Sequence, residues 1–243
     1  MADVSFPVAG VERAAGHLAV PPAGAGQGAP WPAVVVIHEI FGVNDDIKEK
    51  AGQLADHGYL ALAPDLFAGR HWTRCVVGAL RQMRARTGPA FETLEAARRF
   101  LAARDDCAGR VGVIGFCMGG GFALACAPGG SFAVSAVNYG DVPQDADTAL
   151  AGSCPVVGSF GALDRGGAEP PERLRRALTA AGVPHDVKVY PGSGHRFMTE
   201  SSGAMAAISR FARMSYQEAD AADTWQRIYQ FFGEHLATAP PQE

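Results

Sequence analysis

The sequence predicts an α/β fold, with a mostly parallel central sheet flanked by helices on both faces. Two observations predict it. Short, β-branched apolar runs without polar alternation recur along the chain, as strands buried on both faces require. Between them lie stretches with apolar residues at helical spacing, two of them closed by glycine. The 243 residues, 48% hydrophobic and 19% charged, suit a single domain over 1–243 with one substantial core.

A short N-terminal hairpin leads into Pro21–Pro32, a loop rich in Pro, Gly and Ala, and the core runs from about 31 to 237. Trp31–Ile40 reads as a buried strand. Asp45–His57 reads as a helix with Ile47 and Leu54 on its inner stripe, and Gly58 as its C-cap. Tyr59–Leu66 is a second buried strand, and Arg70, His71 and Trp72 fall in the loop after it. Glu92–Arg104 is helical through Leu94, Ala97 and Leu101. Arg110–Phe116 is a strand and Gly119–Ala127 a compact helix. Phe132–Tyr139 and Pro155–Phe160 are strands, Glu172–Ala181 is a helix closed by Gly182, and Asp186–Tyr190 is the last strand. Tyr216–Leu236 is a long helix with Trp225, Ile228, Phe232 and Leu236 facing inward, and the tail Thr238–Glu243 is expected to fray.

Composition excludes several function classes. The net charge of −4, from 21 basic and 25 acidic residues, offers no basic excess for nucleic acid or an anionic membrane. The longest clean apolar run, Ala33–Ile37, is far short of the ~20 residues of a membrane helix. The N-terminus has no basic segment followed by an apolar one, so no secretory signal is expected. Five cysteines, at 75, 107, 117, 126 and 154, make a poor disulfide framework and suggest a reduced, cytoplasmic setting. No C-x-x-C pair or H-E-x-x-H motif is present, and the histidines are scattered. No structural zinc site is therefore expected.

Parallel sheets carry their chemistry at the C-terminal ends of the strands. There the sequence has Gly115-Phe116-Cys117-Met118-Gly119-Gly120, a G-x-nucleophile-x-G elbow with cysteine as the nucleophile. A sharp strand-to-helix turn strains the central residue, and side chains two places away would collide, which is why both are glycine. The turn lifts Cys117 above the sheet edge, beside the N-terminus of a helix whose dipole favours a thiolate. Two other readings stay open. One is a buried structural cysteine in a packing turn. The other is a nucleotide-binding turn, although Gly112, Gly115 and Gly119 lack the G-x-G-x-x-G spacing of that fingerprint.

In this elbow fold the chain order is nucleophile, acid, histidine. Asp164 comes after the fifth buried run in Gly161-Ala162-Leu163-Asp164, and His195 after the last strand in Gly192-Ser193-Gly194-His195. Cys117 would attack an acyl carbon, His195 would shuttle the proton and Asp164 would fix its tautomer. Asp164 could instead cap a turn, and Asp141 is its rival for the acid role. The oxyanion would lie on the N–H groups of Met118 and Ile40. Glu39 is unusual, because a carboxylate at the end of a buried strand needs a partner. Loop backbone would serve, or the Cys117 thiol, which Glu39 would then gate.

Several segments resemble the dienelactone hydrolase (carboxymethylenebutenolidase) family. They are His38-Glu39-Ile40-Phe41-Gly42, Ala63-Pro64-Asp65-Leu66-Phe67, the Gly115–Gly120 elbow, Gly194-His195-Arg196-Phe197 and Ala221-Ala222-Asp223-Thr224-Trp225-Gln226-Arg227. The likeness spans about Val34 to Leu236. It implies an α/β-hydrolase fold without a cofactor, a Cys117–His195–Asp164 triad, and a Glu39 paired with the cysteine until substrate binds. It implies lactone or ester substrates, in the type enzyme a dienelactone bearing a carboxylate. The family's two carboxylate-binding arginines are altered here. Arg70 stands one place later than expected, and Thr199 stands where the second would be; Arg196, beside His195, would point elsewhere.

The expected activity is therefore hydrolysis of a small lactone or ester through a thioester, by a monomer or homodimer. Arg70, Trp72, Phe41 and Phe197 are candidates for contact with substrate, and segment 198–214 could cap the site with an apolar wall. The competing readings are a non-catalytic ligand-binding protein on a hydrolase scaffold and a nucleotide-dependent oxidoreductase.

Overall fold

Along Trp31–Ile37 (β3) alternate side chains enter opposite cores. Val34 and Val36 lie in one buried cluster, and Ala33, Val35 and Ile37 in another. A strand hidden on both faces needs helices above and below, and the computed structural model shows them. It describes residues 1–8, 11–26, 28–164, 167–200 and 216–236.

Eight strands form one sheet. They are β1 (Ala2–Val8), β2 (Val11–Ala19), β3, β4 (Leu60–Pro64), β5 (Cys107–Phe116), β6 (Ser135–Asn138), β7 (Val156–Gly161) and β8 (His185–Tyr190). The sheet order is β1-β2-β4-β3-β5-β6-β7-β8. The N-terminal hairpin β1–β2 joins β4 antiparallel, and every later pairing is parallel. The helices are α1 (Asp45–Asp56), α2 (Trp72–Ala85), α3 (Pro89–Ala102), α4 (Met118–Ala125), α5 (Ala146–Ala149), α6 (Glu169–Ala180) and α7 (Glu218–Leu236). This is an α/β-hydrolase fold. α1 and α7 cover one face, and α2 and α3 the other.

Local chemistry sets the ends. Asn44 caps α1 by accepting from the Ile47 N–H (3.1 Å), and Asp45 and Asp46 suit the positive end of its dipole. The helix stops at Gly58, whose φ of +86° suits glycine. β3 leaves the sheet at Ile37 instead of continuing to residue 40. The buried His38 ring takes over there: Nδ1 donates to the Glu39 carbonyl (2.6 Å), and Nε2 accepts from the Leu66 N–H (3.2 Å).

Some expectations need correction. Trp72 opens helix α2 instead of lying in a loop. Only Ala79 and Met83 of α2 are fully buried, but Trp72, Cys75, Val76 and Leu80 pack beside them, so an apolar stripe at helical spacing marks this helix in the sequence. α5 is too short to show a period, and α6 starts earlier than expected, with Pro170 and Pro171 in its first turn. Trp225 of α7 is half-buried, while Ala221, Thr224 and Phe231 share the buried face with Ile228, Phe232 and Leu236. Segment 198–214 is described only as far as residue 200, and the tail 238–243 lies outside the described residues. No described helix is long and apolar enough to cross a membrane.

Candidate active site

The turn between β5 and α4 puts Cys117 at φ +55°, ψ −116°, a conformation that strains any residue but glycine. Its neighbours leave no room for side chains. A Cβ on Gly115 would stand 1.9 Å from the Gly119 carbonyl oxygen, and one on Gly119 would stand 2.2 Å from that of Ile37. The elbow is tied to β6: the Cys117 N–H donates to Asn138 O (3.1 Å), and Asn138 Nδ2 donates to Gly115 O (3.2 Å). α4 behind it is buried on nearly all sides.

The other partners come from the ends of β7 and β8. The two loops are laced together, with Ala162 N–H donating to Tyr190 O (2.9 Å) and Leu163 N–H to Ser193 O (2.9 Å). Ser193 is in turn fixed by Oγ donating to Asp220 on α7 (2.6 Å). This frame brings His195 between the other two groups. Nδ1 donates to Asp164 Oδ2 (2.7 Å), and Nε2 lies 3.0 Å from Cys117 Sγ. A carboxylate can only accept, so the Nδ1 proton is assigned by its partner. Burial pulls the His195 pKa down, but hydrogen bonds to Asp164 and Cys117 outweigh it and raise it to about 10. Asp141 lies apart, 3.9 Å from Arg84, with both side chains largely exposed.

Cys117, His195 and Asp164 line a cavity of about 590 Å³. Its other walls are mostly apolar, among them Ile40, Leu80, Met118, Phe160 and Leu163, with Arg84 and Asp141 as charged members. Met118 opens α4, so its N–H has no partner within the helix. Ile40 lies just beyond the His38 anchor, and no backbone carbonyl among the described residues takes its N–H.

Glu39 departs from expectation. It is buried, yet its contacts are not with the thiol. Arg196 Nε donates to Oε2 (2.7 Å), and Thr199 Oγ1 and Tyr139 OH reach Oε1 at 3.4 and 3.5 Å. A full guanidinium charge is the stronger partner for a carboxylate shielded from water. Burial pushes the Glu39 carboxyl above its ordinary value, against the charges of Arg196 and Lys50. Burial also drives Tyr139 well above the phenol range, so its OH remains a donor.

The four candidates for substrate contact stand elsewhere. Arg70 is exposed and turns its Nε to Phe67 O (3.3 Å), away from the cavity walls. Phe41 and Trp72 pack edge to face (5.4 Å) and do not line the cavity. Phe197 is a core residue with no exposed surface, packed edge-on to Tyr139 and tilted against Tyr190, because the chain turns at Arg196 (φ +63°) and sends it inward. Sequence reasoning passed over His38, Tyr139 and Lys50. The last left a signal: a charge at position 50 sits on the inner stripe of α1 between Ile47 and Leu54.

The sequence profile of the dienelactone hydrolase family matches residues 17–236. The chain is 30% identical over 228 residues to a Methylorubrum extorquens protein provisionally named a carboxymethylenebutenolidase, covering 86% of this chain and 74% of that one. It is 30% identical over 201 residues to a carboxymethylenebutenolidase of Pseudomonas putida, covering 76% of this chain and 83% of that one. A crystal structure from Klebsiella pneumoniae, provisionally named a dienelactone hydrolase, superimposes with a TM-score of 0.77 at 28% identity, over 96% of this chain and 98% of that one.

Proposed function

The chain belongs to the dienelactone hydrolase family, and from that premise we propose that it hydrolyses a small, uncharged ester or lactone through a thioester on Cys117. The class of reaction, ester or lactone hydrolysis, comes with the family. The observation that carries the finer reading is the unbroken contact from Cys117 Sγ through His195 to Asp164 at the wall of an apolar cavity.

Each group has a part. His195 holds the proton of the Cys117 thiol, and the sulfur attacks the acyl carbon. The carbonyl oxygen becomes an oxyanion facing the N–H groups of Ile40 and Met118. His195 then gives its proton to the departing alkoxide oxygen, and the C–O bond breaks. In the second half a water loses a proton to His195 and attacks the thioester, returning the sulfur to its starting state and releasing the acid. Asp164 keeps the imidazole in one tautomer throughout.

The mostly apolar walls favour an uncharged acyl group, and the arginine among them, Arg84, faces Asp141 (3.9 Å). Arg70 lies outside the cavity, and Thr199 is buried against Glu39, so neither is placed to receive a substrate carboxylate. The test is acid quenching after mixing with a panel of aryl esters and lactones, then intact mass and peptide mapping. An acyl adduct on Cys117 is expected. Turnover with the adduct on another residue would overturn the reading.

Asp164→Asn should expose the role of the acid. With the carboxylate in place, His195 stays protonated to about pH 10, so kcat/KM should hold until its alkaline limb near that value. Removing the negative charge lowers the His195 pKa, so the limb moves to lower pH. A loss in kcat of about 10²-fold or more should accompany it. An unmoved limb in the measured pH profile would exclude Asp164 as the partner.

A further inference from the structure

We propose that a second chamber, beside the catalytic cavity, receives the acyl chain of the ester, so that the acid portion of the substrate is a straight apolar chain of medium length. The inference deepens the reading of Cys117 as the nucleophile and rests on it.

A cavity of about 400 Å³ lies next to the one that holds Cys117 and His195, and the two share Met83, Arg84, Asp141 and Val142 as walls. Gly121 lies at the neck between them. A Cβ there would stand 2.4 Å from Met83 Sδ and 3.5 Å from Asp141 Cβ, so α2 and the loop after β6 close over α4 at a residue without a side chain. Met83 is the adaptable part of this neck, because an unbranched thioether turns aside at little cost. Helix α4 sets the direction beyond it. Met118, whose N–H faces the oxyanion, walls the catalytic cavity, while Gly121 and Ala125, further along the same face of α4, wall the chamber. At a rise of 1.5 Å per residue, the chamber reaches ~10 Å past Met118.

The floor of the chamber is hydrocarbon, formed by the buried side chains of Leu124, Val142 and Leu150. Its charges stand on the rim and cancel in pairs. Arg86 Nη2 donates to both oxygens of Asp145 (2.6 Å each), and Arg84 Nε stands 3.9 Å from Asp141 Oδ2. A substrate carboxylate would have to displace an aspartate already in place, whereas a hydrocarbon chain displaces no partner and covers apolar floor. The chamber suits the acyl arm rather than the alcohol. His195 must hand its proton to the departing alkoxide oxygen, so the alcohol lies against the loops after β7 and β8, which carry Asp164 and His195. The chamber is walled instead by α4, α5, the end of α2 and the loop after β6.

The test is a series of p-nitrophenyl esters of straight-chain acids, from acetate to octanoate, which lengthens the acyl arm and keeps the leaving group. The ratio kcat/KM should climb about threefold per added methylene as the chain fills the neck and then the chamber. A series that is flat or falls beyond butanoate would overturn the proposal. So would an equal climb along alkyl acetates, which lengthen the alcohol instead. Ala149→Phe, at the end of α5, fills the chamber from a wall that the catalytic cavity does not share. The preference for octanoate over acetate in kcat/KM should then drop by about tenfold or more. An unchanged preference would show that the chain does not enter the chamber. Should Ala149→Phe fail to fold, Gly121→Ala reads the same preference, because its methyl drives the Met83 thioether into the neck. A flat series alongside an acyl adduct on Cys117 would sink this proposal alone. Turnover without that adduct, with the preference still lost in Ala149→Phe, would sink the nucleophile reading and keep the chamber.

Discussion

Cys117→Ala will yield a folded protein whose ester turnover is lower by about 10⁴-fold or more. The size reflects the groups that the change removes. His195 and Asp164 remain, but the imidazole then has no sulfur to relieve of its proton, and residual rate comes only from the oxyanion donors and binding. Stability should stay close to that of the parent, because alanine keeps the Cβ and the strain at φ +55°, ψ −116°. Cys117→Gly separates the two properties further. It is equally inactive, yet glycine adopts this conformation freely, so the variant should gain about 1 kcal/mol after its greater unfolded-state freedom is subtracted. Denaturant midpoints beside progress curves measure both. Turnover within tenfold of the parent in either variant would remove Cys117 from the chemistry. A Cys117→Gly protein no more stable than the parent would mean that the elbow is unstrained.

That strain is also why much of the site can be read from the sequence. An elbow needs glycine two places away on each side, and Gly115 and Gly119 mark it without any tertiary knowledge. Asp164 and His195 are legible because each comes just after a buried run, and parallel strands deliver the loops at their C-terminal ends to one edge of the sheet. Pairings between distant loops are a different matter. Glu39 shows in the sequence as a charge needing a partner, but nothing local says that the partner is Arg196, from the far end of the chain, and not the thiol one strand away. The choice depends on the left-handed turn at Arg196, which also sends Phe197 into the core and out of reach of substrate. α2 is different: its signal is present, since Trp72, Cys75, Val76, Ala79, Leu80 and Met83 recur at helical spacing on the side that meets the core.

Gly119→Ala should be among the most damaging single methyls in the protein. Its Cβ would stand 2.2 Å from the Ile37 carbonyl oxygen, 2.7 Å from the carbonyl carbon and 2.8 Å from His38 O. These are backbone atoms at the end of β3, so no rotamer change relieves the overlap, and the strand or the helix must move. β3 lies at the centre of the sheet, paired with β4 and β5, and resists. The cost should exceed about 4 kcal/mol, which a marginally stable domain can hardly absorb, and little soluble protein is expected. Gly192 provides the contrast. It lies in the loop before His195, its φ is not positive and no atom stands within 4 Å of its Cβ position, so Gly192→Ala should change stability by less than about 0.5 kcal/mol. Soluble yield and thermal midpoint of the two variants decide the matter. Should any Gly119→Ala protein fold, the displaced segment is the one that carries Ile40, so kcat should fall with KM little changed, as the loss of an oxyanion donor requires. A stable Gly119→Ala protein with parental kcat would show that the elbow and β3 are not in the contact described.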